Sequence, residues 1–404
     1  MHQRAPSRMP NPPARFLERL PPAKDLAPPP SRSRDARVGA DLAALTTAPC
    51  VAATSVALPA HRYEQKELAS AAARLLPAFA GRQAVLERFF SSTGVTARHL
   101  ALDADAYAEL SGLGARSRAW LEVATDLGER AIGALLEDAG VTPRDVGLLT
   151  TTTVTGIAVP SLDARLMNRL PFSADLKRVP LFGLGCVGGA AGLARTAEYL
   201  RAFPRQLAVL LSVELCSLTV QADDGSVANV ISSGLFGDGA AAVLLAGARH
   251  PLSVNGGGAV GPRVVASRST FFPDTERVMG WDIVDRGFKV VLSRDVPTIV
   301  REAVPPAVDR FLDDHGLTRR DIATWICHPG GPKVMTALEE GLGLPDDALD
   351  ASRAALADVG NLSSASVLYL LDEYRAHRRP AEGAAGILMA MGPAFCAELV
   401  LLRW

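Results

Sequence analysis

The chain has 404 residues, 48% of them hydrophobic and 5% aromatic, with a formal net charge of −1. That length allows two to three domains of about 150 residues each, and the balanced charge argues against a nucleic-acid-binding surface. No run reaches the roughly 20 uninterrupted apolar residues of a membrane span.

Residues 1–48 carry Pro28–Pro29–Pro30 and a basic cluster at Arg32, Arg34 and Arg37. They show no hydrophobic period and too little apolar surface to offset the entropy of ordering, so a disordered tail is expected. The N-terminus lacks the apolar core of a secretory signal. Five cysteines (Cys50, Cys186, Cys216, Cys327, Cys396) stand without CxxC or paired spacing. That pattern suits a reducing cytoplasm and offers neither a disulfide framework nor a metal site.

From Ala48 the composition changes. Cys50–Pro59 is small and β-branched, fit for a strand, and helical periods follow over Gln65–Phe79, Gln83–Phe90 and Ala104–Leu110. Gly112 and Gly114 break the pattern before an amphipathic helix over Arg118–Ala139, which Gly140 closes. Val146–Val154 reads as a threonine-rich strand, Val187–Phe203 as a small-residue helix and Gln206–Leu215 as a buried strand. Phe236–Gly237–Asp238–Gly239 then leads into the apolar run Ala240–Ala246.

A glycine-rich linker over 255–261 precedes a second half. There Arg263–Ser267 and Ile322–Cys327 read as strands, and Val296–Leu312 as a helix kinked at Pro305 and Pro306. Lys333–Leu342 and Leu362–His377 read as helices, Ala385–Met391 and Ala397–Trp404 as closing strands. Strands alternating with helices predict an α/β protein with helix-covered sheets. Residues 49–254 and 255–404 share one plan, in which a helix starts beside a reactive-type side chain and an apolar strand ends the unit. Two stacked halves with function at their junction are expected.

Three polar residues stand at strand-to-helix turns. Cys186 ends the glycine-interrupted run Val179–Gly185. At a helix N-terminus its thiol pKa is expected to fall from about 8.5 toward about 3.5–7.5, although a buried structural cysteine fits the same residues. His328 follows a strand and precedes Pro329–Gly330–Gly331–Pro332, a turn too rich in glycine and proline to be helical. Asn361, at a helix start, is read most simply as an N-cap. Taken together, Cys offers a nucleophile that His can activate, and His and Asn offer donors to an oxyanion or enolate. That set suits thioester chemistry.

Gly185–Cys186–Val187–Gly188–Gly189, Leu235–Phe236–Gly237–Asp238–Gly239–Ala240, Trp325–Ile326–Cys327–His328–Pro329–Gly330–Gly331–Pro332, Gly360–Asn361–Leu362–Ser363–Ser364–Ala365–Ser366 and Met391–Gly392–Pro393 follow one another as in type III polyketide synthases. This is the chalcone synthase-like branch of the thiolase superfamily, and the chain resembles it from about residue 50 to 404. The resemblance implies a homodimer of thiolase-like αβαβα five-layer subunits built from two similar halves. It implies an acyltransferase that extends an acyl-CoA starter with malonyl-CoA and needs no further cofactor. Cys186 would carry the acyl chain. His328 would hold its thiolate by ion pairing and, with Asn361, support decarboxylation. Phe236 matches a residue where the CoA tunnel meets the cavity; Ser363, Cys216 and Thr219 match cavity-lining positions, and Arg88 and Arg98 are candidates for CoA phosphate contacts, although an exposed arginine is usually solvated surface. The small Cys216 and Thr219 leave room for a long acyl chain, so an alkylpyrone, an alkylresorcinol or a tetrahydroxynaphthalene would each fit. Glu214–Leu215–Cys216–Ser217–Leu218 and Met279–Gly280–Trp281–Asp282 look bacterial rather than plant. A second gatekeeper has no secure counterpart near Phe288, and Val159 replaces a methionine that crosses the plant dimer interface.

The alternatives are a single-condensation enzyme like ketoacyl-ACP synthase III, a degradative thiolase and a non-catalytic thiolase-like partner. The first uses the same three residue types, but the His-Pro-Gly-Gly-Pro turn favours the polyketide branch. The second needs another catalytic cysteine, for which Cys396 is the one candidate. Intact Cys, His and Asn argue against the third.

Overall fold

The computed structural model describes residues 45–79, 81–254 and 261–404. Most of the expected tail, and the linker 255–260, lie outside them. The elements that position the site are β1 (Cys50–Ala57), β2 (His61–Glu64), α1 (Gln65–Leu75), α2 (Gln83–Ser91), β3 (Ala97–Leu100), α3 (Gly112–Asp138), β4 (Val146–Thr153), β5 (Lys177–Phe182), α4 (Gly188–Ala202), β6 (Leu207–Leu215), α5 (Val227–Leu235) and β7 (Asp238–Ala246). The second half adds β8 (Arg263–Phe271), β9 (Met279–Val284), β10 (Gly287–Leu292), α6 (Val296–Asp313), β11 (Ile322–Cys327), α7 (Pro332–Leu342), α8 (Asp350–Val359), α9 (Ser366–His377), β12 (Ala385–Gly392) and β13 (Cys396–Arg403).

Nine strands run in the order β11-β12-β13-β8-β1-β7-β6-β4-β5. The seam between the halves is narrow: β1 meets β8 in ladder register at Cys50 and Arg263 alone. On either side the strands are apolar on both faces, as helix-covered strands must be; β6, β7 and β12 are buried at every residue. Three apolar cores follow. One lies between α3 and the first half-sheet, through Trp120, Leu127 and Leu135. A second joins α4 and α9 to strands of both halves, through Leu193, Leu200, Leu368 and Leu371. The third packs α6 and α7 on the second half-sheet, through Val300, Phe311 and Leu338. Helix, sheet, helix, sheet, helix: the five expected layers are present.

The two halves are equivalent in detail. Thr142–Pro143–Arg144–Asp145 before β4 and Thr318–Arg319–Arg320–Asp321 before β11 each form a capping box, with the Asp carboxylate accepting from the Thr backbone N–H (2.8 and 2.7 Å) and from its hydroxyl (2.7 Å in each). The central helices α4 and α9 both begin with a 3-10 turn, Gly185–Val187 and Ser363–Ala365. Cys186 and Asn361 therefore stand at corresponding ends of corresponding helices.

Several sequence expectations shift. Gly112 and Gly114 do not break α3, which starts at Gly112 and runs 27 residues, about 40 Å at 1.5 Å per residue; the Leu113 N–H is tied to the Asp285 carbonyl (3.1 Å). Helix α6 continues through Pro305 and Pro306, where the Pro305 ring packs over Gly341. Helices α5 and α8 and the β9–β10 hairpin were not legible. Among the described residues no helix is long and apolar enough to cross a membrane, and no group of three His, Cys, Asp or Glu side chains could hold a metal ion.

The glycines after Cys186 are there for packing. A Cβ on Gly189 would overlap the Ser364 carbonyl oxygen and lie 3.0 Å from the Val367 side chain. Overpacking of this kind costs about 1–3 kcal/mol, so Gly189→Ala should lower the thermal unfolding midpoint by several degrees, measured by differential scanning fluorimetry, whereas Gly133→Ala, with open space at its Cβ, should leave it unchanged or raise it.

Candidate active site

Cys186 sits in the 3-10 turn ahead of α4, not on the helix itself. The turn is shaped by Gly183 (φ +87°) and Gly185 (φ +54°), and a Cβ on Gly185 would meet the Pro393 ring at 2.5 Å. A Cβ on Gly392 would lie 2.8 Å from the Leu184 carbonyl oxygen. The Met391–Gly392–Pro393 motif is thus the floor on which the cysteine turn rests. Ser363 reaches the thiol from the other side: its Oγ is 3.6 Å from Cys186 Sγ, held there by a left-handed backbone at φ +50°, unusual for a residue with a Cβ.

Asn361 arrives with the same turn. Its Oδ1 accepts from the Ser363 N–H (2.8 Å), a local turn bond rather than the N-cap expected, since Leu362 holds the N-cap position of the 3-10 turn and Ala365 that of α9. Its backbone is paired with the Phe236 segment: Asn361 N–H donates to the Leu235 carbonyl (2.9 Å) and Gly237 N–H to the Asn361 carbonyl (3.0 Å), a parallel bridge between Phe236 and Asn361. His328 comes from the end of β11, its N–H donating to the Met389 carbonyl on β12 (2.9 Å). Ser352 Oγ on α8 donates to the Cys327 carbonyl (2.8 Å), and Gly331, in the turn after His328, faces the Leu235 side chain. Turns carrying Cys186, His328, Asn361, Ser363 and Phe236 therefore meet at the interface of the two halves.

The electrostatics correct one expectation. Cys186 does not show the lowered pKa of a thiol at a helix N-terminus: burial pushes it up to about 12, against a partial offset from Ser363 and with Glu214 adding to the rise. Burial also pushes His328 down to about 3; it is 3% exposed and its Nδ1 has no partner. Burial disfavours the charged form of both the thiol and the imidazole. The cause is the short 3-10 turn, which puts the sulfur in a low-dielectric pocket ahead of the helix's free N–H groups.

Glu214 was not singled out from the sequence. It is fully buried at the end of β6 and accepts from Ser364 Oγ, Val154 N–H (3.1 Å) and Thr155 Oγ1 (2.8 Å). Burial raises its pKa against those donors. It ties the Ser363–Ser364 turn to both β4 and β6. Only its polarity within an otherwise apolar strand could have marked it.

The remaining candidates divide. Cys216 is buried and lines a small cavity of about 70 Å³ with Phe236, Arg98 and Tyr107. Thr219 is buried on the same turn, its Oγ1 donating to the Cys216 carbonyl (2.7 Å). Phe236 faces Trp281, ring centroids 6.4 Å apart. Trp281 and Phe288 line a cavity of about 250 Å³ with Gly183 and Pro393, beside the cysteine turn. Arg88 is exposed on α2, along a groove of about 880 Å³ that holds none of the three central residues. Arg98 is not a surface phosphate contact: it is 4% exposed and its Nη1 donates to the Phe236 carbonyl. Cys396 opens β13 with its thiol on the Pro393 carbonyl (3.4 Å).

A cysteine, a histidine and an asparagine at the junction of two thiolase-like halves define a carbon–carbon condensing enzyme. Residues 263–404 match the chalcone and stilbene synthase C-terminal domain, and 107–253 match the FAE1/type III polyketide synthase-like family. The chain is 51% identical over 354 residues to a 1,3,6,8-tetrahydroxynaphthalene synthase of Streptomyces peucetius, covering 88% of this chain and 93% of that protein. It is 34% identical over 286 residues to a 3,5-dihydroxyphenylacetyl-CoA synthase of Amycolatopsis orientalis, covering 70% and 75%. The solved tetrahydroxynaphthalene synthase of Streptomyces coelicolor superposes with a TM-score of 0.80 at 30% identity, over 88% of this chain and 99% of that one. The chain belongs to the type III polyketide synthases, acyltransferases of the thiolase-like fold.

Because His328 is neutral in the fold and protonated first in the unfolded chain, its contribution to stability is complete above about pH 6.5 and is lost as pH falls toward about 3. The slope is up to about 1.4 kcal/mol per pH unit. Urea unfolding between pH 6.5 and 4 should show a shallower loss for His328→Gln than for the wild type; equal slopes would remove the buried neutral histidine.

Proposed function

We propose that this chain is a 1,3,6,8-tetrahydroxynaphthalene synthase that uses malonyl-CoA both as starter and as extender. The observation that carries the reading is the 51% identity to the Streptomyces peucetius enzyme across 88% of this chain.

Cys186 would attack the malonyl thioester, its proton passing to His328 as the sulfur bonds to the carbonyl carbon; the C–S bond to CoA then breaks and CoA leaves as its thiol, taking that proton from His328. The thiolate and imidazolium form together, because each alone is disfavoured by burial while the pair is not. A second malonyl-CoA would lose CO₂, its thioester oxygen taking negative charge opposite the His328 and Asn361 donors, and the resulting carbon nucleophile would attack the thioester carbonyl on Cys186, breaking its C–S bond so that the Cys186 sulfur leaves as thiolate and the lengthened chain is carried on CoA. Donors already held in place stabilise that enolate without reorganisation. Phe236, against Trp281, would cover the carboxylate's position with apolar surface and favour its departure as neutral CO₂. The ten-carbon product corresponds to five malonyl-derived two-carbon units. Arg88 would meet CoA phosphate along the α2 groove.

We also read the enzyme as a homodimer. Strand β5 ends the sheet, and Ile157, Val159 and Phe182 near it are 41%, 93% and 49% exposed, an open edge and an apolar patch of the kind that oligomers cover.

Purified enzyme given malonyl-CoA alone should yield tetrahydroxynaphthalene by mass, and Cys186→Ala should yield none and form no acyl-enzyme. Product from acyl-CoA starters but not from malonyl-CoA alone would overturn the assignment. On size exclusion with light scattering the wild type should run as a dimer, and Val159→Asp with Phe182→Lys should run as a monomer; an unchanged mass would move the interface elsewhere.

A further inference from the structure

The C-terminal end of α5 is gripped by side chains from the N-terminal segment. Gln65 Nε2 on α1 donates to the Gly234 carbonyl (2.6 Å), and Thr93 Oγ1 reaches the same oxygen (3.2 Å). Two residues on, Arg98 Nη1 from β3 donates to the Phe236 carbonyl. The last carbonyls of a helix have no partner within it and carry its negative end, so a cation is favoured there.

Arg98 is more than a surface cap. Its guanidinium lies 5.6 Å from the centre of the Phe90 ring, and its Nε is buried without a partner. Burial lowers its pKa to about 10, with Asp238 opposing the fall, so it stays charged at neutral pH. The Asp238 carboxylate, two residues beyond Phe236, is occupied elsewhere by Ala101 N–H (2.6 Å), Ser217 N–H (2.8 Å) and Ser217 Oγ. Among the described residues the acceptor that Arg98 has is the Phe236 carbonyl. A buried cation spent on one backbone oxygen is costly, and that oxygen sits on the turn whose next peptide groups pair with Asn361.

We propose that Arg98 is a positioning residue of the condensing site: through the Phe236 carbonyl it fixes the turn that sets both the Phe236 ring and the Asn361 amide. The proposal rests on the reading of Phe236 and Asn361 as decarboxylation machinery. The cysteine turn rests on Pro393 and on Ser364, and Ser364 has its own anchor in Glu214, so acyl loading leans on Arg98 less than decarboxylation does.

Arg98→Met, Arg98→Lys and Asn361→Ala test this with three readouts on the purified enzyme: CO₂ release from malonyl-CoA, the mass of acylated Cys186, and the folded fraction by chemical unfolding. Per folded site, Arg98→Met should release CO₂ at least tenfold more slowly, with the loss in kcat, KM within twofold, and loading unchanged. Arg98→Lys, which keeps the charge but not the fork, should fall between it and the wild type. If Arg98→Met does not fold, Arg98→Lys decides on the same readouts. Wild-type decarboxylation in the deciding variant, or loading and decarboxylation lost in equal proportion, overturns the proposal. Wild-type decarboxylation by Asn361→Ala would instead overturn the reading of the site on which the proposal stands.

Discussion

The site depends on one short length of backbone pairing. Leu235, Phe236 and Gly237 from the first half and Gly360 and Asn361 from the second exchange two peptide hydrogen bonds. Peptide groups pair at fixed distance, so the register between the halves is set where the chemistry needs it. The approach is close enough to dictate composition. A Cβ on Gly237 would overlap the Val359 carbonyl, and one on Gly360, already at φ +73°, would sit 3.0 Å from the Leu235 carbonyl oxygen. The two glycines beside Phe236 and Asn361 are the geometric condition for the pairing.

The same closeness governs the electrostatics. Turns from both halves enclose the imidazole and part of the thiol, and burial disfavours the charged form of each. In such a medium an isolated charge is expensive, while attraction between opposite charges is strong. A site built this way holds its nucleophile in reserve until a partner charge forms. Glu214 fits the scheme as an anchor: four donors pin it, and its carboxylate secures the Ser363–Ser364 turn.

The layered fold and the central residues were legible because they rest on local signals: apolar strands, glycine turns, and polar side chains at strand ends in a recognisable order. What the sequence hid was set by distant contacts. Helix α5 carries Asn229, Ser232 and Ser233 in only nine residues, and its start is set by Ser226, whose Oγ accepts from the Asn229 N–H (3.2 Å). The β9–β10 hairpin has no tight-turn signature, and its place is fixed by Arg286 and Lys289 pairing with Asp223 and Asp224 (3.2 and 3.5 Å). Arg98 looked like surface because arginine usually is; its acceptor lies 138 residues away.

The narrow seam at Cys50 and Arg263 has a consequence for how the molecule comes apart. Two half-sheets joined by so little ladder could open like separate plates, were it not for α4 and α9. Each of these helices buries side chains against strands of both halves. Removing either half would strip one face from the middle layer and leave a stripe of leucine, alanine and valine in water. Each half therefore relies on the other to cover the middle layer.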